Sequence, residues 1–257
     1  MNWYITGDKH GNFADLISIY YEILENPDNA IIVLGDAGIN YYLNKKDDKI
    51  KESLNSFGCQ WYFVYGNHEA RPCNVHNMEF TYDLNVDGDV YYEPAYPHLH
   101  YFKDFGIYNI DGLRVAVIGG AYSVDKYYRL EHRFQWFVDE ELTDEEMDRC
   151  AALMKGQRFD LVLTHTCPLA YEPRDLFLSF IDQSTVSKRM EKSLDKIKDS
   201  VDWNIWLFGH FHADRIEAPH VEQYYHDIEE LDKIVERWKR YDETGELDWW
   251  LTKSPNF

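Results

Sequence analysis

Five short runs of apolar and aromatic residues punctuate the chain: 2–6 (NWYIT), 30–34 (AIIVL), 61–65 (WYFVY), 160–164 (DLVLT) and 204–208 (NIWLF). Each is too brief for a helical period to show, and their Ile, Val, Tyr and Trp content predicts buried strands. Between the first two, Phe13, Leu16, Ile17, Tyr20, Tyr21 and Leu24 fall at helical three-and-four spacing after Asn12, a candidate cap. Ile50, Leu54 and Phe57 repeat that arrangement over 46–57, and 192–200 (KSLDKIKDS) does so ahead of the last run. Strand-helix-strand units follow from this order. The stretch 107–120 (IYNIDGLRVAVIGG) instead places an Asp-Gly pair between two alternating runs, which predicts a hairpin.

Two segments fit less well. Residues 79–101 are rich in Tyr, Asp and Pro with little periodicity, and read as an ordered excursion over the surface. Ile228, Leu231, Ile234, Val235 and Trp238 mark a helix, so a helical extension is expected over about 228–257. The preceding HVEQYYHD fits strand or helix. With no linker, internal repeat or low-complexity tract, a single domain over 1–257 is expected.

Composition narrows the function classes. The formal charge of −20 argues against a protein that tracks a polyanion, since nucleic acid calls for a basic face. No run approaches the length of a membrane span and no basic segment leads into an apolar one, so a cytoplasmic protein without membrane contact is expected. Cys59, Cys73, Cys150 and Cys167 form no CxxC pair and read as free thiols.

The chemistry sits after the five runs: GDKHG at 7–11, GDAG at 35–38, GNHE at 66–69, HTCP at 165–168 and GHFH at 209–212. In α/β sheets the functional crevice lies beyond the carboxyl ends of the strands, so these loops are expected to converge. They carry Asp8, His10, Asp36, Asn67, His68, His165, His210 and His212. Glycines 7, 35, 66 and 209 would let each strand turn sharply. Asp8 with His10, and His210 with His212, would share a side if the backbone stays extended. Imidazole mixed with carboxylate and amide oxygen suits Mn, Fe, Zn, Co or Ni. His68 set aside, seven donors are too many for one tetrahedral ion and suit two ions sharing a carboxylate.

In this order, Asp-x-His, Gly-Asp, Gly-Asn-His-Glu, His and Gly-His-x-His resemble the calcineurin-like metallophosphoesterase superfamily, over positions 7 to 212. The resemblance implies an α/β fold of four layers, α/β/β/α, with a two-sheet mixed sandwich flanked by helices. It implies Asp8, His10 and His212 as ligands of one metal and Asn67, His165 and His210 of the other. Asp36 becomes the bridge, and His68 the catalytic histidine, with Glu69 or another acidic neighbour to orient it. The implied reaction is in-line attack on a phosphate ester by a bridging hydroxide, with Mn as the expected metal. Two divalent cations less two carboxylates and one hydroxide leave a local positive charge able to hold an anion.

Substrate selection is less legible. Protein serine/threonine phosphatases of this superfamily carry arginines in GDxVDRG and before GNHE; this chain has GDAGINY and VYGNHE. Residues 119–136 (GGAYSVDKYYRLEHRFQW) resemble a stretch of bacterial and phage metallophosphoesterases of unassigned substrate. Lys126 and Arg129 there, with Arg71 after GNHEA, are candidate phosphate contacts, against the plainer reading as surface cations. A small-molecule or nucleotide ester, mono- or diester, is the favoured substrate. The alternatives are a nuclease and a noncatalytic module of the kind the retromer subunit makes of this scaffold. The remaining histidines and the tyrosines read as packing, Cys167 as a buried thiol, and 139–149 as a solvated helix start. Oligomeric state does not follow from these residues.

Overall fold

Why the five runs carry apolar residues at odd and even positions alike is plain from the architecture, in which nearly every one of them is buried on both faces. In the computed structural model of the chain, residues 1–177, 179 and 182–247 are described. The first half runs β1 (Asn2–Thr6), α1 (Ala14–Glu25), β2 (Asn29–Val33), α2 (Lys45–Asn55), β3 (Gln60–Phe63), β4 (Glu79–Asp83), β5 (Gly88–Tyr92) and β6 (Leu99–Phe102). The second continues β7 (Phe105–Ile110), β8 (Leu113–Ile118), α3 (Lys126–His132), α4 (Asp144–Met154), β9 (Arg158–Thr164), α5 (Arg189–Lys198) and β10 (Asp202–Phe208). It closes with β11 (Arg215–Ala218), β12 (Val221–Gln223), β13 (Ile228–Glu230) and α6 (Leu231–Thr244).

These strands form two mixed sheets, ordered β13-β1-β2-β3-β6-β5-β4 and β11-β12-β10-β9-β8-β7. Parallel pairing joins β1, β2, β3 and β6 in one sheet and β8, β9, β10 and β12 in the other. Between the sheets pack Ile5, Ile32, Leu34, Tyr62 and Val64 from the first and Val117, Leu161, Leu163 and Leu207 from the second. The alternate residues face outward: Ile31, Val33, Trp61 and Phe63 meet α1 and α2, while Ala116, Val162, Trp206 and Phe208 meet α4 and α5. A one-residue slip in any of these strands would exchange the two apolar sets, so both cores fix the register. The layers are therefore α/β/β/α.

The Asp-Gly hairpin appears as β7 and β8, with Ile110 paired to Leu113 and left-handed φ values of 51° at Asp111 and 84° at Gly112. Thr143 caps α4 through a reciprocal bond with Glu146, making the acidic run a helix start. Asn12 accepts a bond from the Ala14 amide, one residue ahead of the helical cap position.

Two expectations need correction. Residues 79–101 are not simply a surface excursion: β4, β5 and the start of β6 extend the first sheet, with Val86, Val90 and Leu99 fully buried. Their periodicity is hidden because the outer hairpin leaves Phe80, Tyr82 and Leu84 exposed, so apolar residues occupy both faces. At the other end, Ile228 opens β13, an antiparallel partner of β1, and the helix begins at Leu231. The preceding ambiguous segment contains β12, and Leu231, Ile234 and Trp238 of α6 enter the inter-sheet core. The expected extension beyond 247 lies outside the described residues.

Candidate metal centre

All five motif loops leave the carboxyl ends of β1, β2, β3, β9 and β10, and their side chains meet at one edge of the sandwich. Asp8, His10 and His212 form one tight group of donors; Asp8, Asp36 and His165 form another; His10, Asp36 and His68 form a third. Within each group the ligand atoms lie within 4.8 Å of one another. His210 lies outside these groups but stands beside His165, ring centroids 5.0 Å apart.

The backbone brings the paired residues together differently from the extended path expected. His10, Asp36, His210 and His212 adopt φ of 47°, 49°, 70° and 53°, a left-handed region that costs a non-glycine residue about 1–2 kcal/mol. Hydrogen bonds between loops hold the strained turns: the Lys9 and His10 amides donate to the Asp36 carbonyl at 3.0 and 2.8 Å. Of glycines 7, 35, 66 and 209, only Gly35 has positive φ, at 91°. Gly209 is needed for room, since a Cβ there would stand 2.4 Å from Asp8 Oδ1.

Each aspartate is held by one oxygen and offers the other. Asp8 Oδ1 accepts from the His210 amide at 2.9 Å, and Asp36 Oδ1 from the His68 amide at 2.7 Å. Asp8 Oδ2 is buried with no hydrogen-bond partner among the described residues. His212 Nε2 lies 3.3 Å from that oxygen and 2.9 Å from His10 Nε2. His165 Nδ1 donates to the Leu34 carbonyl at 2.8 Å, which turns Nε2 toward Asn67 Oδ1, also at 2.8 Å. Between that nitrogen and the amide oxygen lies room for one shared cation, a proton in the metal-free chain or a metal ion in its place. The residues therefore fit divalent metal. Ser123 Oγ accepts from Asn67 Nδ2 at 2.8 Å and fixes that amide.

Electrostatics agree with this arrangement. Burial opposes ionisation of Asp8 and Asp36, but the histidines around them win and hold both carboxyls below their usual range. Burial likewise opposes charge on His165, yet the Asp36 and Asp8 carboxylates lift it to about 9. Burial, reinforced by His165, pushes His210 down to about 3.

The three candidate phosphate contacts separate. Arg129, on α3, lines a cavity of about 540 Å³ with His10, His68, His212, Tyr41 and Tyr42. Its Nη2 lies 2.6 Å from His68 Nδ1. Asp125 Oδ2 accepts from its Nε at 2.7 Å, and the Gln135 carbonyl from its Nη1 at 3.0 Å. Arg71 is corrected: it is buried away from this cavity, bonded to Glu146, Asp104 and the carbonyls of Asp139 and Glu141. Lys126 is also corrected, its Nζ lying 4.2 Å from the centre of the Trp136 ring and outside the cavity lining. Both cations find partners within the fold, acidic for one and aromatic for the other.

Glu69 does not orient His68. Buried by the fold, it accepts from the Gly66 amide at 3.1 Å, and burial together with Asp36 raises its carboxyl to about 8. The acidic neighbours of His68 are instead Asp125, 3.8 Å from Nε2, and Asp36, 4.0 Å from Nδ1. Burial lowers the pKa of His68, and Arg129 adds to that against the pull of Asp36. Cys167 is fully buried and its thiol is pushed well above the usual range. Sequence reasoning missed Tyr41, Asp125 and Ser123. The four-residue spacing of Asp125 and Arg129 on one helix was the available signal for one of them.

Two mixed sheets, flanking helices and strand-end histidines and aspartates define a metallophosphoesterase fold. The chain belongs to the calcineurin-like phosphoesterase family, whose model matches residues 1–214. Members of this family bind divalent metal, and membership supports metal-dependent phosphoester hydrolysis. No curated protein matches the chain. Among solved structures it is similar to a phosphopantetheinyl hydrolase from Mycobacterium tuberculosis, at 14% identity and TM-score 0.47, over 96% of this chain and 94% of that one. A protein of unknown function from Aquifex aeolicus is 12% identical over 83% and 81% of the two chains, at TM-score 0.35. An archaeal phosphodiesterase is 14% identical over 52% and 68%, at TM-score 0.28. Likeness at this level says nothing of substrate. Among the described residues no helix is long and apolar enough to cross a membrane.

Proposed function

We propose that this protein is a dinuclear metal-dependent phosphoesterase acting on a small-molecule phosphate ester. The observation that carries the reading is the meeting of Asp8, His10, Asp36, His165 and His212 around a carboxylate oxygen buried without a partner. Asp8, His10 and His212 would hold one ion, Asn67, His165 and His210 the other, with Asp36 between them. This mixed nitrogen and oxygen set suits Mn, with Fe, Zn, Co or Ni as alternatives. Bound there, the ions supply Lewis-acid charge that makes water more acidic and offsets charge on the phosphoryl oxygens.

The chain's own contribution is position. Backbone amides anchor one oxygen of Asp8 and of Asp36, so the other stays aimed at the cradle without side-chain rearrangement. His68 faces the cavity beside Asp36, where it donates a hydrogen bond to the phosphoryl group or passes a proton to the leaving oxygen. Arg129 brings a fixed, forked cation to the same wall, suited to a nonbridging phosphate oxygen. A net charge of −20 favours a compact ester over a nucleic acid, because it opposes approach of a long polyanion.

The test is hydrolysis of p-nitrophenyl phosphate and bis-p-nitrophenyl phosphate by metal-stripped protein resupplied with Mn. An Asp36→Asn variant is assayed for rate and metal content alongside. Mn-dependent turnover is expected, reduced by about 10³-fold or more in the variant together with bound metal. Full turnover by stripped protein or by Asp36→Asn would sink the reading.

A further inference from the structure

A second cavity, of about 320 Å³, shares His212 with the cavity beside Arg129 and none of its other lining residues. Tyr122, Val124, Phe177 and Phe211 form its apolar wall, next to His210. Phe177 and Phe211 present nearly parallel faces, 23° apart in plane, with centroids 6.2 Å apart. Nothing in the chemistry above uses this space.

Its lining includes Glu191, from the first turn of α5, whose side chain is polar, buried and incompletely bonded. The residue is 3% exposed. Oε1 accepts from the Thr166 hydroxyl at 2.8 Å, tying Glu191 to the loop that carries His165. Oε2 is buried with no hydrogen-bond partner among the described residues. Lys188, which also lines the cavity, is already engaged: its Nζ lies 2.7 Å from Glu172 and 4.5 Å from the centre of the Phe177 ring. A buried acceptor left open costs free energy until a donor answers it. Burial accordingly pushes the Glu191 carboxyl up to about 7.

The donor that fits is constrained by its surroundings. An ammonium ligand would meet the charge of Lys188 at the aromatic face that Lys188 already covers. A neutral planar ring avoids that repulsion, packs on the aromatic wall, and can carry an N–H to the open oxygen. We propose that this cavity receives a nucleobase-like heteroaromatic group of the substrate, packed against Phe177 and Phe211 and hydrogen-bonded to Glu191 Oε2, through a ring N–H when the carboxyl is ionised and a ring nitrogen when it is protonated. Because the cavity reaches His210 and His212, the ring would belong to a substituent of the phosphate held by the metal ligands. The proposal rests on the phosphoesterase reading, and makes the substrate a nucleoside phosphate ester.

The decisive experiment uses the full chain loaded with Mn and measures binding of adenosine 5′-monophosphate and ribose 5-phosphate by titration calorimetry. Wild type, Glu191→Gln and Phe177→Leu are compared; the second variant keeps apolar bulk should the first fail to fold. The nucleotide should bind at least about tenfold more tightly than the sugar phosphate in wild type, and the gap should shrink below about threefold in each variant. Equal affinities in wild type overturn the pocket. A gap that survives both variants overturns it as well, by putting the ring elsewhere. Turnover of p-nitrophenyl phosphate is read in parallel and separates the two claims. Hydrolysis without nucleotide preference removes the pocket and leaves the enzyme; the expected binding gap with no Mn-dependent release of phosphate from either p-nitrophenyl phosphate or adenosine 5′-monophosphate supports the pocket and removes the enzyme.

Discussion

Arg71 and Arg129 are 5% and 9% exposed, and each lies just beyond a motif or turn that leads toward the cleft, yet the fold treats them in opposite ways. Around Arg71, Glu146 is gripped through both terminal nitrogens at 2.8 and 3.2 Å, while Asp104 and two carbonyls take the remaining contacts. Around Arg129, Nε and Nη1 are anchored but Nη2 faces His68, and the residue lines the cavity. A buried cation surrounded by protein acceptors holds the fold together. One anchored from behind, with a nitrogen at a cleft, has binding capacity left for a ligand.

Substitutions test that contrast. Arg71→Met should cost about 3 kcal/mol in urea unfolding, because it strands Glu146 and Asp104, while turnover per folded molecule stays within about twofold of wild type. A loss of activity without a loss of stability would reverse the roles assigned to the two arginines. For Arg129→Met the expected pattern is inverted: kcat/KM falls about 10²-fold, equivalent to about 2.7 kcal/mol, with stability changed by less than about 1 kcal/mol.

Glu191 extends the comparison to a buried carboxyl group. Its carboxyl is raised from 4.5 to about 7, so the folded chain holds that proton more tightly than the unfolded one. Its stabilising contribution is therefore complete below pH 4.5 and is lost as pH rises through about 7. In metal-free protein this amounts to about 3 kcal/mol at most. Thermal melts across that range should slope downward with pH, and less steeply in Glu191→Gln; Glu69 and Asp47, raised in the same direction, preserve part of the slope. Identical slopes would mean that Glu191 is answered in solution. Lys126→Ala should have the smallest effect, under about twofold in kcat/KM and about 0.5 kcal/mol in stability, since its ammonium rests on Trp136 outside the cavity.

Much of the scaffold was legible because burial on two faces writes itself into composition. The runs at 30–34, 61–65 and 204–208 had to be apolar at odd and even positions alike to serve an inter-sheet core and a helix-covered face together. The hairpin at 111–112 was equally plain, since Asp-Gly tolerates the two left-handed residues that its turn requires. Residues 79–101 were not legible, because an outer hairpin with one exposed side breaks the rule that made the central strands readable. Asp8, His10, Asp36, His165 and His212 could be found from sequence because each immediately follows a strand, and strand order fixes where its end emerges.

By itself, then, the sequence determined the mixed α/β class and the convergence of the strand-end loops that carry the candidate donors, both of which follow from local pattern and strand polarity. Only the tertiary structure decided which cations reach the cleft, that Asp125 and not Glu69 stands beside His68, and that Glu191 lines a cavity with one oxygen unanswered. Those outcomes depend on side chains from distant segments meeting at angstrom distances. A charge carries the same letter in the sequence whether it is answered by a neighbour or left open, and only packing separates the two.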